Sequence, residues 1–139
     1  LNLSKENVFF DVKHSFKVLT MGGKPFLEDP VLNYTLKGNY GLIYDYNIKI
    51  KNSKKTVQQI SLWLRPKKDN AVDRGVILIN GRLVEVGVLL NRKKMLTSEK
   101  FYEIMLQANE ETELHIISMP QAGCFYPVDF VIQAQDVNL

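Results

Sequence analysis

The stretch Leu42-Ile43-Tyr44-Asp45-Tyr46-Asn47-Ile48-Lys49-Ile50-Lys51 indicates the fold class of this 139-residue chain. From Tyr44 to Ile50, large apolar or aromatic side chains alternate with Asp45, Asn47 and Lys49. Successive side chains of a β-strand point to opposite faces of the sheet, so this period of two predicts a strand with one buried and one wet face.

The same alternation recurs along the chain. Ile60, Leu62 and Leu64 alternate with Ser61 and Trp63, and turn-forming residues separate such runs at short intervals. Together the two patterns predict strands at 8–19, 32–36, 42–51, 57–65, 75–80, 83–88, 101–107, 112–118 and 127–135. Only segment 92–103 leaves room for a short helix.

Asn80-Gly81 is the sharpest of the turns. It separates Val76–Ile79 from Arg82–Val86, and both of its residues tolerate positive φ, which predicts a type I′ hairpin. Many short strands with close turns favour an all-β fold. We predict an antiparallel β-sandwich, immunoglobulin- or fibronectin-III-like, with seven to nine strands in a single domain at 1–139. Because the chain starts at Leu1 without a Met, we expect this domain to be cut from a longer protein.

The apolar phase of the strands predicts the core. We expect most of it to consist of Ile48, Ile50, Ile60, Leu62, Leu64, Ile77, Ile79, Ile116, Phe130 and Ile132. The long segment Val8–Leu19 is apolar at 8, 10 and 12 and then at 16 and 18. The interruption of this pattern at His14-Ser15 predicts a bulge or a strand that crosses between the sheets. Its start, Val8–Phe10, has few charges to discourage pairing, so we expect the C-terminal strand or a partner to cover it.

Composition and charge exclude several classes of function. The chain is 45% hydrophobic, enough for a core, and has no apolar run of the roughly 20 residues that a membrane span needs. Its net charge is only +3, with no basic helix beside an aromatic pattern, so we expect no nucleic-acid partner. A single cysteine, Cys124, leaves no internal disulfide to stabilise the domain.

Residues that might support catalysis or metal binding are few. Cys124, with Asp129 and either His14 or His115, is the only set that resembles a Cys–His nucleophilic site, and both histidines occupy outward positions of alternating strands. We therefore predict no catalytic residue and no enzyme. Asp69, Asn70 and Asp73 could offer oxygens to calcium, but the Gly and Glu of an EF-hand loop are absent. A turn in which Asp and Asn side chains cap their own backbone is the better interpretation. We predict no metal and no cofactor.

Four aromatic residues could bind a ligand, namely Trp63, Tyr40, Tyr34 and Tyr102. On a flat sheet face, such side chains stack against sugar rings. The alternative is that they fill the core or cover a sheet edge, because aromatic residues supply much of the buried area in a small core. An exposed, coplanar pair favours glycan binding, and burial favours a structural role.

Several motifs together resemble Ig-like accessory domains of bacterial secreted or cell-envelope proteins. These motifs are Gly38-Asn39-Tyr40-Gly41 before the strand 42–51, the Asn52 loop, the strand 59–64, Arg74-Gly75, the Asn80-Gly81 hairpin and the closing Met119-Pro120…Gly123…Tyr126-Pro127-Val128. The resemblance covers most of the chain, and its turn signatures are specific to architecture. It implies a domain that is secreted or at the cell surface and that acts as a spacer, docking surface or glycan-binding module.

The sequence thus leaves two functions open. The first is a non-catalytic structural or protein-interaction module of an extracellular or cell-envelope protein, whose partners are neighbouring domains or another protein. The second is a carbohydrate-binding β-sandwich with exposed aromatics and a polysaccharide partner.

We expect Cys124→Ser to leave the fold and any activity of the parent protein intact, because no Cys–His site surrounds Cys124 in the sequence. Labelling with iodoacetamide at about pH 6 checks this, since only a thiol with a lowered pKa reacts rapidly there. Rapid, stoichiometric labelling contradicts the prediction.

Overall fold

The computed structural model describes residues 2–21, 27–29, 34–36, 42–66, 72–92, 95–96, 98–120 and 128–137. In these ranges lie one 3-10 turn, Val12–His14, and twelve strands. The strands are β1 (Asn2–Asp11), β2 (Phe16–Met21), β3 (Leu27–Asp29), β4 (Tyr34–Leu36), β5 (Leu42–Lys51), β6 (Gln58–Pro66), β7 (Val72–Ile79), β8 (Arg82–Arg92), β9 (Met95–Leu96), β10 (Glu99–Leu106), β11 (Glu111–Pro120) and β12 (Val128–Asp136). Across the described ranges, the chain has no helix with the length and apolar character of a membrane span.

Two main sheets form the domain. One has the strand order β1-β5-β11-β7-β8-β9 and the other β10-β6-β12-β2, while β3 and β4 pair separately. Neighbouring strands are antiparallel except for β1 and β5, which run parallel. The rings of Tyr46 on β5 and Phe130 on β12 lie 6.0 Å apart and join the two sheets through the core. The predicted all-β sandwich is therefore confirmed.

Period-two burial is also confirmed. All ten residues predicted for the core are buried, each at most 2% exposed. They belong to one cluster that also includes Val8, Phe10, Val12, Tyr44, Tyr46, Phe101, Leu106 and Leu114. The inner faces of both sheets contribute to this cluster, as two sheets packed face to face require.

The interruption at His14-Ser15 in the first long segment marks a crossing between the sheets. β1 belongs to the six-stranded sheet and β2 to the four-stranded one, and the 3-10 turn Val12–His14 joins them. Asp11 caps this turn by accepting a hydrogen bond from the Lys13 backbone N–H, 3.1 Å away. Ser15 then reverses the chain with a φ of 64°. The predicted crossing between the sheets is therefore confirmed, but two strands joined by a turn make it instead of the one strand predicted at 8–19.

The hairpin at Asn80-Gly81 is confirmed too. Asn80 and Gly81 have φ values of 49° and 80°, as a type I′ turn requires. Asn80 also holds the turn against β11, because its backbone N–H donates to the His115 carbonyl and its side-chain oxygen accepts from the His115 N–H, both at 2.8 Å.

Two predictions differ from the structure. The described part of segment 92–103 forms strand instead of helix, in β9 and the start of β10. The C-terminal strand β12 pairs with β6 and β2 and does not cover Val8–Phe10, because the crossing at Val12–His14 has already moved the chain to the other sheet. Val8–Phe10 instead pairs in parallel with Ile48–Ile50 of β5.

Asn52 secures the connection between β5 and β6. It is fully buried, and its amide nitrogen donates to the carbonyls of Thr56, Leu106 and Gln107 at 2.9, 3.1 and 3.0 Å. Its side-chain oxygen accepts from the Lys54 N–H at 3.0 Å. A buried amide stabilises a fold only when its polar atoms are paired, and this one ties the loop to the end of β10.

We expect Leu62→Ala to lower the free energy of unfolding by about 2–5 kcal/mol, because Leu62 is fully buried and truncation leaves a cavity. Chemical denaturation measures this loss. The control is Met105→Ala on the adjacent strand β10, where the side chain is 58% exposed and we expect a change within about 0.5 kcal/mol. Equal effects of the two variants contradict the assigned faces.

Asp11 should make stability depend on pH. The Ser53 hydroxyl, which donates to Asp11 Oδ1, holds the pKa of this carboxyl below its ordinary value of 3.8. The carboxylate therefore stabilises the fold above that value, and the contribution is lost as the pH falls through the lower native pKa. We expect Asp11→Ala to cost about 1–2 kcal/mol at neutral pH and progressively less in acid, measured by urea denaturation across the pH range. A deficit that is constant down to the acid limit contradicts this.

Candidate functional site

The outer face of the four-stranded sheet carries an apolar patch. On β6, Leu62 and Leu64 enter the core, so Trp63 between them points outward. Trp63 lies opposite Val131 of β12, and Val131 lies opposite Val18 of β2. Directly opposed residues share a face of the sheet, so these three side chains form one row across three strands.

The patch is open to solvent. Phe16, next to this row on β2, is 62% exposed, Val18 is 37% exposed, and Trp63 is half-buried. A shallow cavity of about 370 Å³ lies over the patch. Its apolar lining is Phe16, Val18, Trp63 and Val131, and its polar lining is Arg65, Ser98 and Gln133.

Trp63 is the largest side chain of the cavity. Its indole Nε1 is buried and, within the described residues, has no hydrogen-bond partner. Lys100, opposite Trp63 on β10, places its Nζ 5.8 Å from the centre of the indole ring, a cation–π contact. Lys100 also forms an ion pair with Glu103 at 2.7 Å. The ring therefore has a charged, half-exposed side chain on its β10 side and the apolar row on its β12 side.

Asp129 holds the polar edge of the cavity in place. Its side chain is only 7% exposed, and Arg65 Nη2 donates to Oδ2 at 3.0 Å. The Thr20 hydroxyl donates to Oδ1 at 2.9 Å. Arg65 and Thr20 both lie opposite Asp129 in the sheet, so this triplet forms a row parallel to the apolar one. It orients the Arg65 guanidinium beside Trp63.

The structure separates the aromatic residues that the sequence grouped. Tyr102 lies opposite Leu62 on the core face and packs against the core, whereas Trp63 is on the outer face. The cause is a bulge between Lys100 and Tyr102, which shifts the pairing of β10 by one residue. Tyr34 is in β4 with its side chain outside the described part, and Tyr40 lies outside the described residues altogether.

Phe16 and Val18 are the members of the site that sequence reasoning missed. The alternation at 16 and 18 was visible, but it indicated only an apolar face and not which face. Phe16 and Val18 pair with Gln133 and Val131 of β12, out of phase with the buried Phe130 and Ile132, so they face solvent on the same side of the sheet as Trp63.

The structure does not assemble a Cys–His site from the described residues. His115 is on the outer face of the six-stranded sheet, where Nε2 lies 2.6 Å from Asp45 Oδ1, while Asp129 is on the outer face of the other sheet. Both histidines are exposed, as predicted. Cys124, Asp69 and Asn70 lie outside the described residues, as does the side chain of Asp73. Where side chains are described, no group of three His, Cys, Asp or Glu is arranged to hold a metal ion.

Comparison with known proteins adds solved structures but no family. No family model matches the chain, and no curated protein matches it. The Podospora anserina GH26-CBM35 β-(1,4)-mannanase is 15% identical with a TM-score of 0.41, and the match covers 90% of this chain and 26% of that one. A ruminal GH26 endo-β-1,4-mannanase is 15% identical with a TM-score of 0.33, covering 87% and 26%. The CBM35 from Cellvibrio japonicus Abf62 is 11% identical with a TM-score of 0.32, covering 88% and 99%.

The chain thus spans about a quarter of the length of the two mannanases. Identities of 11–15% and TM-scores of 0.32–0.41 are too low to bear on the function of this chain. Its function has to be argued from its own surface.

Proposed function

We propose that this domain is a non-catalytic carbohydrate-binding module and that its binding surface is the apolar patch of the four-stranded sheet. The observation that carries the proposal is the partly exposed row Trp63–Val131–Val18, which lies beside the exposed Phe16 and is bordered by the Arg65–Asp129 pair. Such a module acts outside the cell, beside other domains of the same protein.

The chemistry of the patch fits a sugar ring. A pyranose presents C–H groups on its faces and hydroxyl groups around its rim, so it needs an apolar floor with polar groups at the edge. Trp63 and Phe16 offer large apolar surfaces, and covering them removes apolar area from water. Arg65, Ser98 and Gln133 line the same cavity and supply hydrogen-bonding groups for hydroxyls.

The polar edge is organised before any ligand arrives. The nearly buried Asp129 keeps the partly exposed Arg65 in position through an ion pair, so Arg65 loses little rotamer freedom when it binds a hydroxyl. The row from β10 to β2 crosses four strands, about 14 Å at the usual strand spacing, which gives room for a chain of sugars.

A protein-interaction or spacer module is the second candidate. Two exposed apolar side chains, Phe16 and Val18, favour it, because a neighbouring domain would bury them as readily as a glycan. This role also fits the immunoglobulin-like accessory domains that the sequence resembles. The two candidates differ in whether the isolated domain binds a soluble polysaccharide.

Affinity electrophoresis of the isolated domain in gels that contain single soluble polysaccharides, neutral and acidic, tests the proposal. We expect at least one neutral polysaccharide to retard the domain. Trp63→Ala should weaken binding by about 2 kcal/mol, or about thirty-fold in Kd, because the apolar floor is lost. Phe16→Ala, at a side chain that is 62% exposed, tests the same surface with little risk to the fold.

Leu83→Ala is the matched control, because Leu83 is 60% exposed but belongs to β8 of the other sheet. Its mobility should equal that of the unaltered domain in every gel. No retardation in any gel contradicts the proposal, and so does equal retardation of the Trp63→Ala and unaltered domains. If no polysaccharide retards the domain, but the domain associates stably with a neighbouring domain of its parent protein, the second candidate is favoured.

A further inference from the structure

A polar groove crosses the outer face of the six-stranded sheet, on the side of the sandwich away from Trp63. Two adjoining depressions, of about 370 and 270 Å³, share Asn7 and Asn47 as lining residues. The first also contacts Asp45 and His115, and the second reaches Phe9. Together they form one groove that follows the direction of β1 and β5.

The strand register builds the floor of this groove. Asn7 of β1 lies opposite Asn47 of β5, and Asn47 lies opposite His115 of β11. Their neighbours Ile48 and Leu114 are buried in the core, so the row Asn7–Asn47–His115 faces outward. Three planar hydrogen-bonding side chains thus stand side by side across three strands.

The protein itself leaves the two amides of this row unused. Among the described residues, the side chains of Asn7 and Asn47 make no hydrogen bond, and each amide offers two donors and one acceptor oxygen. His115 and Asp45, in contrast, are fixed by their contact of 2.6 Å, with Asp45 only 14% exposed. The groove therefore combines two free amides with an oriented carboxylate and imidazole.

The charges and the aromatic end of the groove favour a neutral ligand over a polyanion. The carboxylates of Asp45 and Glu113 balance Lys5 and Lys49 in the lining, and Lys49 also pairs with Glu111 at 3.6 Å. The groove therefore has no excess of cations for a polyanion. At one end the Phe9 ring, which is 53% exposed, offers an apolar face. Amides and a carboxylate beside an aromatic ring match vicinal hydroxyls next to a C–H face.

We propose that this groove is a second carbohydrate-binding site, specific for a neutral, hydroxyl-rich glycan. From Lys5 to Phe9 it extends about 13 Å along the strand, enough for several sugar units. The two sites lie on the outer faces of different sheets and approach each other at the edge where Phe9 and Phe16 line one depression. Because their floors face opposite ways, one domain holds two glycan chains at once. The groove shares no residue with the Trp63 patch, so either site can fail without the other.

NMR titration of the full chain locates binding directly. The probes are cellohexaose, xylohexaose and mannohexaose, with a heparin hexasaccharide as the polyanionic comparison. We expect one or more neutral probes to shift backbone amide signals at 5–9, 45–49 and 113–115, and heparin to leave them unchanged. Asn47→Ala should weaken binding in the groove about ten-fold, since it removes one polar partner of the ligand.

Two variants separate this inference from the proposed function. Trp63→Ala should abolish shifts around β6 and β12 only, and Asn47→Ala should weaken those in the groove only. Gln135→Ala, an exposed amide on β12, is the matched control and should change neither. The inference is overturned if no neutral probe shifts the groove signals, if heparin alone shifts them, or if Asn47→Ala leaves the groove affinity unchanged, whatever happens at Trp63.

Discussion

The burial of alternate side chains between the two sheets is the constraint on which the rest of the structure depends. Ile48, Leu62 and Ile132 are fully buried, and a slip of any one strand by a single residue would exchange its buried face for its wet face. Each large apolar side chain gains about 1.5–3 kcal/mol from burial, so the register is firmly set. A fixed register gives every outward side chain a fixed neighbour on the next strand, and these neighbours form the rows described above.

The two outer faces differ because the core does not constrain them. One carries Trp63 and Val18 in an apolar row, with a nearly buried Asp129 that orients Arg65. The other carries Asn7 and Asn47, whose side chains make no hydrogen bond with the described part of the chain. In the two sites proposed, the first face would bind mainly by removing apolar surface from water. The second would bind by hydrogen bonds, which each contribute about 0.5–1.5 kcal/mol. Sheet faces of this kind allow the same scaffold to offer two different surfaces.

The sequence was sufficient for the core and for the Asn80-Gly81 hairpin, because both depend on local patterns: alternation within a strand, and two residues that tolerate positive φ. It left open whether Trp63 faces outward or fills the core. It could not place Tyr102, since the bulge before this residue is a property of the pairing with β6 and not of β10 alone. Nor could it predict that Phe16 and Trp63 share one surface. They do so because β12 pairs with both of their strands.

The pairing of β2 with β12 makes folding depend on segments that are far apart in the chain. Thr20 and Asp129, which are hydrogen-bonded, are 109 positions apart. A fold that depends on pairing between such distant segments folds slowly, in the range of milliseconds to seconds. A ribosome adding about 5–20 residues per second needs about 5–20 s to go from one to the other. During that interval β2, and later β6, leave the ribosome before the strand that lies between them, and their unpaired edges are open to aggregation.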